Sequence, residues 1–255
     1  MNKKTIEIKE RNLALEAVRV TEAAALSASS WIGLGEEKKA DAAAVKAMRK
    51  SLNALDIDGE VVIGEGERDK APMLYIGEKV GTQKGPQVDI ALDPLEGTTI
   101  CATGGNNALT VIAFSEKGGF LNAPDVYMDK IAVGGNLPKD IIDIDEEPEI
   151  NIKNLAKFLK KEINDVVVCI LDRPRHKDII EKCREVGARI MLISDGDVSG
   201  IIATANLDTG VDMYLGIGGA PEGVLAAAAL RCIGGQMQTR LNFRDEEEIK
   251  RARNK

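Results

Sequence analysis

Apolar positions along this chain recur at two different periods, and the switch between them outlines the elements. Residues 11–31 carry alanines and leucines at helical spacing and run out at Gly33 and Gly35, which predicts a helix. A second helix is predicted over residues 36–55, where Val45, Met48, Leu52 and Leu55 alternate spacings of three and four. Extending that stripe back by four lands on Asp41. Its carboxylate is either buried and facing a metal or an exposed acid in the helix's first turn, and the stripe favours the first.

Short β-branched or alternating runs come next. Strands are predicted at 61–63, 73–80, 88–92, 108–115 and 126–133, with a turn at 82–87 and Gly118-Gly119 joining the last two. The run 88–92 is the pattern of a largely buried strand, and Asp93-Pro94 should stop it. Consecutive strands without helices between them argue for an antiparallel or mixed sheet. An acidic stretch at 138–148 marks a change of character. Beyond it helices (151–163, 176–186, 198–205, 221–232) alternate with strands (166–171, 188–193, 211–215), which implies parallel pairing. The expected class is α/β, an α+β half followed by an alternating α/β half with mixed sheets. The halves fall at residues 1–137 and 151–255, with 138–150 as linker.

Composition narrows the chemistry. At 255 residues and 44% hydrophobic, the chain can bury a substantial core. Net charge is −7 and aromatics make up 3%, so neither a basic nucleic-acid footprint nor a base-stacking platform is expected. Cys101, Cys169, Cys183 and Cys232 show no CxxC spacing, which argues against a zinc knuckle or redox pair. No run approaches membrane-spanning length and residues 1–10 lack an apolar core, so the cytoplasm is the expected compartment and no membrane partner is expected.

What remains is acidic and sits where elements end. Asp93 and Glu96 stand about one turn apart at the end of the central strand, with Gly97, Thr98 and Thr99 behind them. Two carboxylates that close repel unless a cation lies between them, and all-oxygen ligands suit Mg²⁺ or Mn²⁺. Gly64-Glu65-Gly66-Glu67-Arg68-Asp69 is a loop whose glycines let backbone approach an ion. The three later strands end in Asp172-Arg173-Pro174-Arg175-His176, in Ser194-Asp195-Gly196-Asp197 and in a glycine-rich stretch running to Glu222. In open α/β sheets the ligand crevice lies outside the carboxyl ends of the strands. Arg173 and Arg175 suit a phosphate, and the helix opened by Pro221 offers backbone N–H groups to an anion. Asp195 and Asp197 either bind a further cation or accept from sugar hydroxyls. Asp41, Glu65, Asp93, Glu96 and Glu222 would make a site for hard cations. Metal-assisted phosphate-ester hydrolysis is the chemistry such a site supports, with Thr98 orienting the attacking water. The single histidine, His176, cannot belong to a multi-His metal site and is expected to cap a helix or pack locally. No G-x-S-x-G or GxxxxGK[ST] occurs, and Pro221 spoils a G-x-G-x-x-G.

Several of these stretches resemble a known family. DGEVVIGEGE at 58–67, APMLYIGE at 71–78, DPLEGT at 93–98, LNAPD at 121–125 and GGAPEG at 218–223 are similar to class II fructose-1,6-bisphosphatases, members of the lithium-sensitive metal-dependent phosphatase superfamily. The resemblance covers about residues 11–241. It implies a layered α/β sugar-phosphatase fold and removal of the 1-phosphate of a sugar bisphosphate with Mg²⁺ or Mn²⁺, a step of gluconeogenesis. Carried over, the metal carboxylates are Asp41, Glu65, Asp93, Glu96 and Glu222, with Glu65 and Thr98 catalytic. The substrate contacts are Glu96, Gly97, Thr98, Tyr127, Arg173, Pro174, Arg175, Asp195, Gly196, Asp197 and Gly219. A preference for sedoheptulose bisphosphate or an inositol phosphate, or binding without turnover, stays open at this point.

The chain departs from the family in two places. Relatives read Gly-Asp-Lys ahead of the metal Asp, whereas here Gly35 precedes Glu36-Glu37-Lys38, which shifts the lysine about 100° around the helix. Relatives also continue past the equivalent of Lys255 with a further sheet strand. The residues after Leu241 read as a charged tail, so the C-terminal strand region is expected to be lacking. An edge left uncovered there would favour a homo-oligomer and lower thermal stability.

Overall fold

The computed structural model describes residues 13–64 and 74–253. Its first sheet contains β1 (Asp58–Ile63), β2 (Lys79–Val80), β3 (Gln87–Glu96) and β4 (Leu109–Glu116) in the order β2-β1-β3-β4. β1 and β3 are parallel; β2 and β4 run antiparallel to their neighbours. The second sheet contains β5 (Tyr127–Val133), β6 (Val167–Leu171), β7 (Arg189–Ile193), β8 (Met213–Gly219) and β9 (Gln236–Asn242) in the order β7-β6-β8-β5-β9. β6 is parallel to β7 and β8, and β5 is antiparallel to both β8 and β9.

Period two along the strands sorts side chains into layers. Ile90 and Leu92 of β3 face helices α1 (Leu13–Ser29) and α2 (Glu37–Leu52), where Val20, Ala24, Met48 and Leu52 are buried with them. Ala91, between them, faces the other way, into a core shared with Met128 of β5 and with Val198 and Leu225 from helices of the second half. Ile131 and Val133 of β5 pack on the outer side with Ile152 and Leu155 of α4 (Pro148–Leu159) and Ile180 of α5 (Lys177–Val186). The layers therefore run helices, sheet, helices, sheet, helices, and the middle layer consists of α6 (Asp197–Ala203) and α7 (Ala220–Ile233).

Several expectations need correction. Asp93-Pro94 does not end the central strand. Pairing shifts register between Asp93 and Glu96, and the proline sits in that irregularity, where a missing N–H costs no regular ladder bond. The strand thus delivers Glu96 itself to the rim, and a short helix, α3 (Thr98–Thr103), comes directly after it. β4 and β5 do not pair with each other; each lies in a different sheet. The strand expected at 73–80 shrinks to Lys79–Val80 because Gly77 turns the chain at φ +89, and Met73 lies outside the described residues. The helix expected from 151 begins at Pro148, a favoured first-turn proline, and ends at Leu159. The region after Cys232 contains β9, which pairs along all of β5, and α8 (Glu246–Arg253).

The acidic segment before α4 is pinned rather than loose. Ile141 and Ile142 are buried, and the Asn151 side chain accepts from the Asp143 N–H at 2.8 Å while donating to the Asp143 carbonyl at 2.8 Å. Asn151→Ala would orphan both backbone groups. A loss of about 2–3 kcal/mol in thermal or denaturant unfolding is expected, and an unchanged melting temperature would show that the segment is held by its isoleucines alone.

Candidate active site at the shared rim of the two sheets

Strand polarity gathers the candidate residues. β6, β7, β8 and β9 all end on one edge of the second sheet, and antiparallel β5 begins there. That edge carries Arg173 and Arg175 after β6, Asp195 to Asp197 after β7, Gly219 to Glu222 after β8, and Tyr127 at the start of β5. Tyr127 lies between Gly219 on one side and Asn242 on the other. In the first sheet, parallel β1 and β3 bring Gly64 and residues 93–97 to a common end. A hydrogen bond joins the two rims: the Val198 N–H of α6 donates to Glu96 Oε1 at 2.8 Å.

The centre is acidic and dry. Glu96 is 5% exposed, and its pKa is pushed up to about 8, chiefly by burial. The Val198 amide opposes the rise, the charges of Asp197 and Glu222 add to it, and Lys130 opposes it. The Glu222 carboxyl is raised too, first by burial and then by Asp197. Asp197 is buried and accepts from Lys130 Nζ at 2.5 Å, the lysine side chain being fully enclosed. Glycines leave room for this pair: a Cβ on Gly218 would stand 1.9 Å from Asp197 Oδ2 and 3.0 Å from Lys130 Nζ. Glu96 Oε2, Asp197 Oδ1, Glu222 Oε2 and the Tyr214 hydroxyl are buried with no hydrogen-bond partner among the described residues. Buried carboxylate oxygens in that state need a proton or a cation.

The donors present fit a hard cation. Asp93, Asp125 and Glu222 line one cavity of about 190 Å³ with Gly64, the residue before Glu65. Glu65 itself lies outside the described residues. Among the described residues no three His, Cys, Asp or Glu side chains are already drawn around one point. Asp93 accepts from the Leu95 N–H at 3.0 Å across the bulge. Asp41 is half-buried in the first turns of α2, which packs on α3, the helix that Thr98 opens. Lys38 is exposed, whereas Lys39 pairs with Glu36 at 2.9 Å and lies 5.6 Å from the Trp31 ring centroid.

The same rim carries cations, on the turn after β6. Arg173 donates to the Ser194 carbonyl and pairs with Asp195 at 3.2 Å. Asp195 and Asp197 therefore do not act as a pair: one is tied to Arg173 near the surface, the other to Lys130 in the interior. Arg175, beyond exposed Pro174, donates Nε and Nη2 to the Ile217 carbonyl at 3.0 and 2.8 Å and lies 5.0 Å from the Tyr127 ring centroid. His176 is fully buried between the Leu171 carbonyl at 2.7 Å and the Ile217 N–H at 2.8 Å, and burial lowers its pKa. The bonds suit a neutral ring with its proton on Nδ1, a structural brace for both arginine-bearing turns. Gly97 (φ +85) and Gly196 (φ +82) hold left-handed turns just before Thr98 and Asp197. Thr98 is half-buried at the start of α3. The start of α7 is less open to an anion than expected. The Ala220 N–H goes to the Val126 carbonyl at 2.8 Å, and Pro221 has none.

Sequence reasoning passed over Lys130, Asp125, Tyr214 and Arg244. Lys130 had a signal: by period two it shares a strand face with apolar Met128 and Ala132, and a charge on that face is costly unless it has a buried partner. Asp125 and Tyr214 had none, since only the fold brings them to the acids. Arg244 lay in residues read as tail.

Layered sheets with buried, unpartnered carboxylates and arginines at shared strand ends place the protein among the α/β phosphatases. Residues 11–255 match the family model described as bacterial fructose-1,6-bisphosphatase, glpX-encoded, and the chain belongs to that family. It is 50% identical over 245 residues to fructose-1,6-bisphosphatase class 2 of Haemophilus influenzae, covering 96% of this chain and 73% of that one. It is 50% identical over 246 residues to fructose-1,6-bisphosphatase 1 class 2 of Escherichia coli K12, covering 94% and 73%. A Synechococcus protein named D-fructose 1,6-bisphosphatase class 2/sedoheptulose 1,7-bisphosphatase is 47% identical over 249 residues, covering 93% and 72%. No helix among the described residues is long and apolar enough to cross a membrane.

Proposed function

We propose that this protein hydrolyses the 1-phosphate of fructose 1,6-bisphosphate to fructose 6-phosphate and phosphate, using Mg²⁺ or Mn²⁺. The observation that carries the reading is the buried set of carboxylate oxygens without partners, Glu96 Oε2 and Glu222 Oε2 above all, at a rim that also carries Arg175. Asp41, Glu65, Asp93, Glu96 and Glu222 would hold the metal. When bound, it supplies charge neutralisation of the phosphoryl oxygens and a more acidic water.

The chain's own residues do the rest. Glu96 is fixed by the Val198 amide, so its free oxygen keeps one direction. The Thr98 hydroxyl, at the first position of α3, orients the attacking water. Gly97 leaves the backbone close to the reacting group, and Arg173, Arg175, Tyr127 and Gly219 seat the substrate. Burial keeps bulk water from the carboxylates, which strengthens every charge interaction there.

Purified protein with Mg²⁺ or Mn²⁺, offered fructose 1,6-bisphosphate, sedoheptulose 1,7-bisphosphate and an inositol monophosphate, is expected to release phosphate fastest from the first. Release from none of them with either metal, or fastest release from the inositol ester, would sink the reading.

A further inference from the structure

We propose that Arg244 is a substrate-binding residue that, with Arg175 and the Tyr127 ring they share, grips the phosphate that is not hydrolysed. The inference rests on the fructose-bisphosphatase reading and deepens it.

Position comes first. β9 runs antiparallel to β5 with Asn242 opposite Tyr127, so the chain leaves the sheet beside Tyr127 and reaches Arg244 two residues later. β9 is the fourth strand to end on this rim, and Arg244 lies just beyond its end. Lys130 faces inward with Asp197, and Tyr127, three residues earlier on β5, points to the opposite face of the strand by period two. The acids and the Tyr127 ring thus flank the rim from its two sides. A sugar carrying a phosphate at each end can straddle it, with the reacting phosphate toward the carboxylates and the other toward the ring.

The charges around that ring point to an anion. The Arg244 guanidinium lies 5.5 Å from the Tyr127 ring centroid and that of Arg175 lies 5.0 Å from it. Two permanent cations against one ring repel each other, and attraction to an exposed ring is worth only about 0.5–1 kcal/mol each. Arg175 has no carboxylate partner among the described residues. Its Nε and Nη2 both go to one carbonyl, that of Ile217, and Nη1 has no partner among the described residues. A phosphate between the two guanidiniums would relieve the repulsion and accept forked bonds from both.

Arg244 is also held in place, although its side chain is 62% exposed. Glu248 of α8, whose side chain is 2% exposed, accepts from the Arg244 backbone N–H at 2.8 Å and from Nε at 2.7 Å, and its Oε1 lies 2.5 Å from Nη2. That leaves Nη1, on the remaining edge, without a partner among the described residues. A long flexible side chain fixed in this way loses less entropy when it binds.

The test compares two esters of the same sugar. Wild type, Arg244→Ala and Arg244→Lys are assayed on fructose 1,6-bisphosphate and on fructose 1-phosphate, which lacks the second phosphate. Arg244→Ala is expected to lose about tenfold more in kcat/KM on the bisphosphate than on the monophosphate, through KM, and Arg244→Lys to recover part of that difference. An Arg244 that merely anchors α8 through Glu248 would lower both esters equally, and equal losses overturn the inference. If the alanine variant does not fold, the lysine variant carries the same comparison: a selective KM rise on the bisphosphate supports the inference and an unchanged ratio overturns it. A wild-type protein that releases phosphate from neither ester removes the functional reading, and this inference with it. An active wild type with equal losses in the variants removes the inference alone.

Discussion

Replacing Lys130 by methionine is expected to cost roughly 3–5 kcal/mol of stability, a large part of what holds a domain folded. The Lys130 side chain is fully buried and its partner Asp197 is 3% exposed, with Nζ and Oδ2 2.5 Å apart. Methionine fills most of the space of the lysine stem, so the loss is electrostatic rather than a cavity. It leaves the Asp197 charge buried beside Glu96 and Glu222 without the cation that faces it. Thermal melts measure the effect. A second substitution, Asp197→Asn, removes the stranded charge, so the double variant is expected to melt well above Lys130→Met alone. Wild-type melting of the single variant, or a double variant no better than it, would show that the pair is not what holds this centre.

The same acids make stability depend on pH in a direction opposite to the usual one for carboxylates. Burial raises Glu96 from 4.5 to about 8 and raises Glu222 as well, so the folded, metal-free protein holds protons that the unfolded chain has released. Stability from these groups is fully present below about pH 4.5 and is lost as pH climbs through 8. The slope approaches about 1.4 kcal/mol per pH unit for each extra proton held. In a chelator, the melting temperature is therefore expected to fall between pH 5.5 and 8.5. Mg²⁺ or Mn²⁺ favours the ionised carboxylates, so its stabilising effect should grow over the same range. Calorimetry with and without metal reads both. A flat metal-free profile, or metal stabilisation larger at pH 5.5 than at 8.5, would contradict the account of Glu96 and Glu222 as cation-seeking acids.

Much of the site was legible because its residues sit at the ends of locally patterned elements. Arg173, Arg175, Asp195, Asp197 and Glu222 each come after a short apolar run, and strand ends of that kind stand out in a linear reading. The pairing of those residues did not. Asp195 and Asp197 look like one motif two positions apart, yet opposite pointing sends one to Arg173 at the surface and the other to Lys130 in the interior. Of the N–H groups expected to greet an anion at the start of α7, that of Ala220 goes to the Val126 carbonyl and Pro221 has none.

The sequence by itself determined the helices and most strands, the polar rim where they end and the family. Those are properties of neighbours in the chain: period 3.6 or 2, a glycine or proline at a boundary, an acid beside a turn. The tertiary structure alone decided that β5 leaves β4 for a sheet with β8 and β9, that Lys130 lies among the acids, and that Arg244 joins Arg175 at Tyr127. Lys130 meets Asp197 67 residues away, and Tyr127 pairs with Gly219 and Asn242 from distant parts of the chain. Contacts of that range are selected by which faces must be buried together, and no local window of sequence contains both partners.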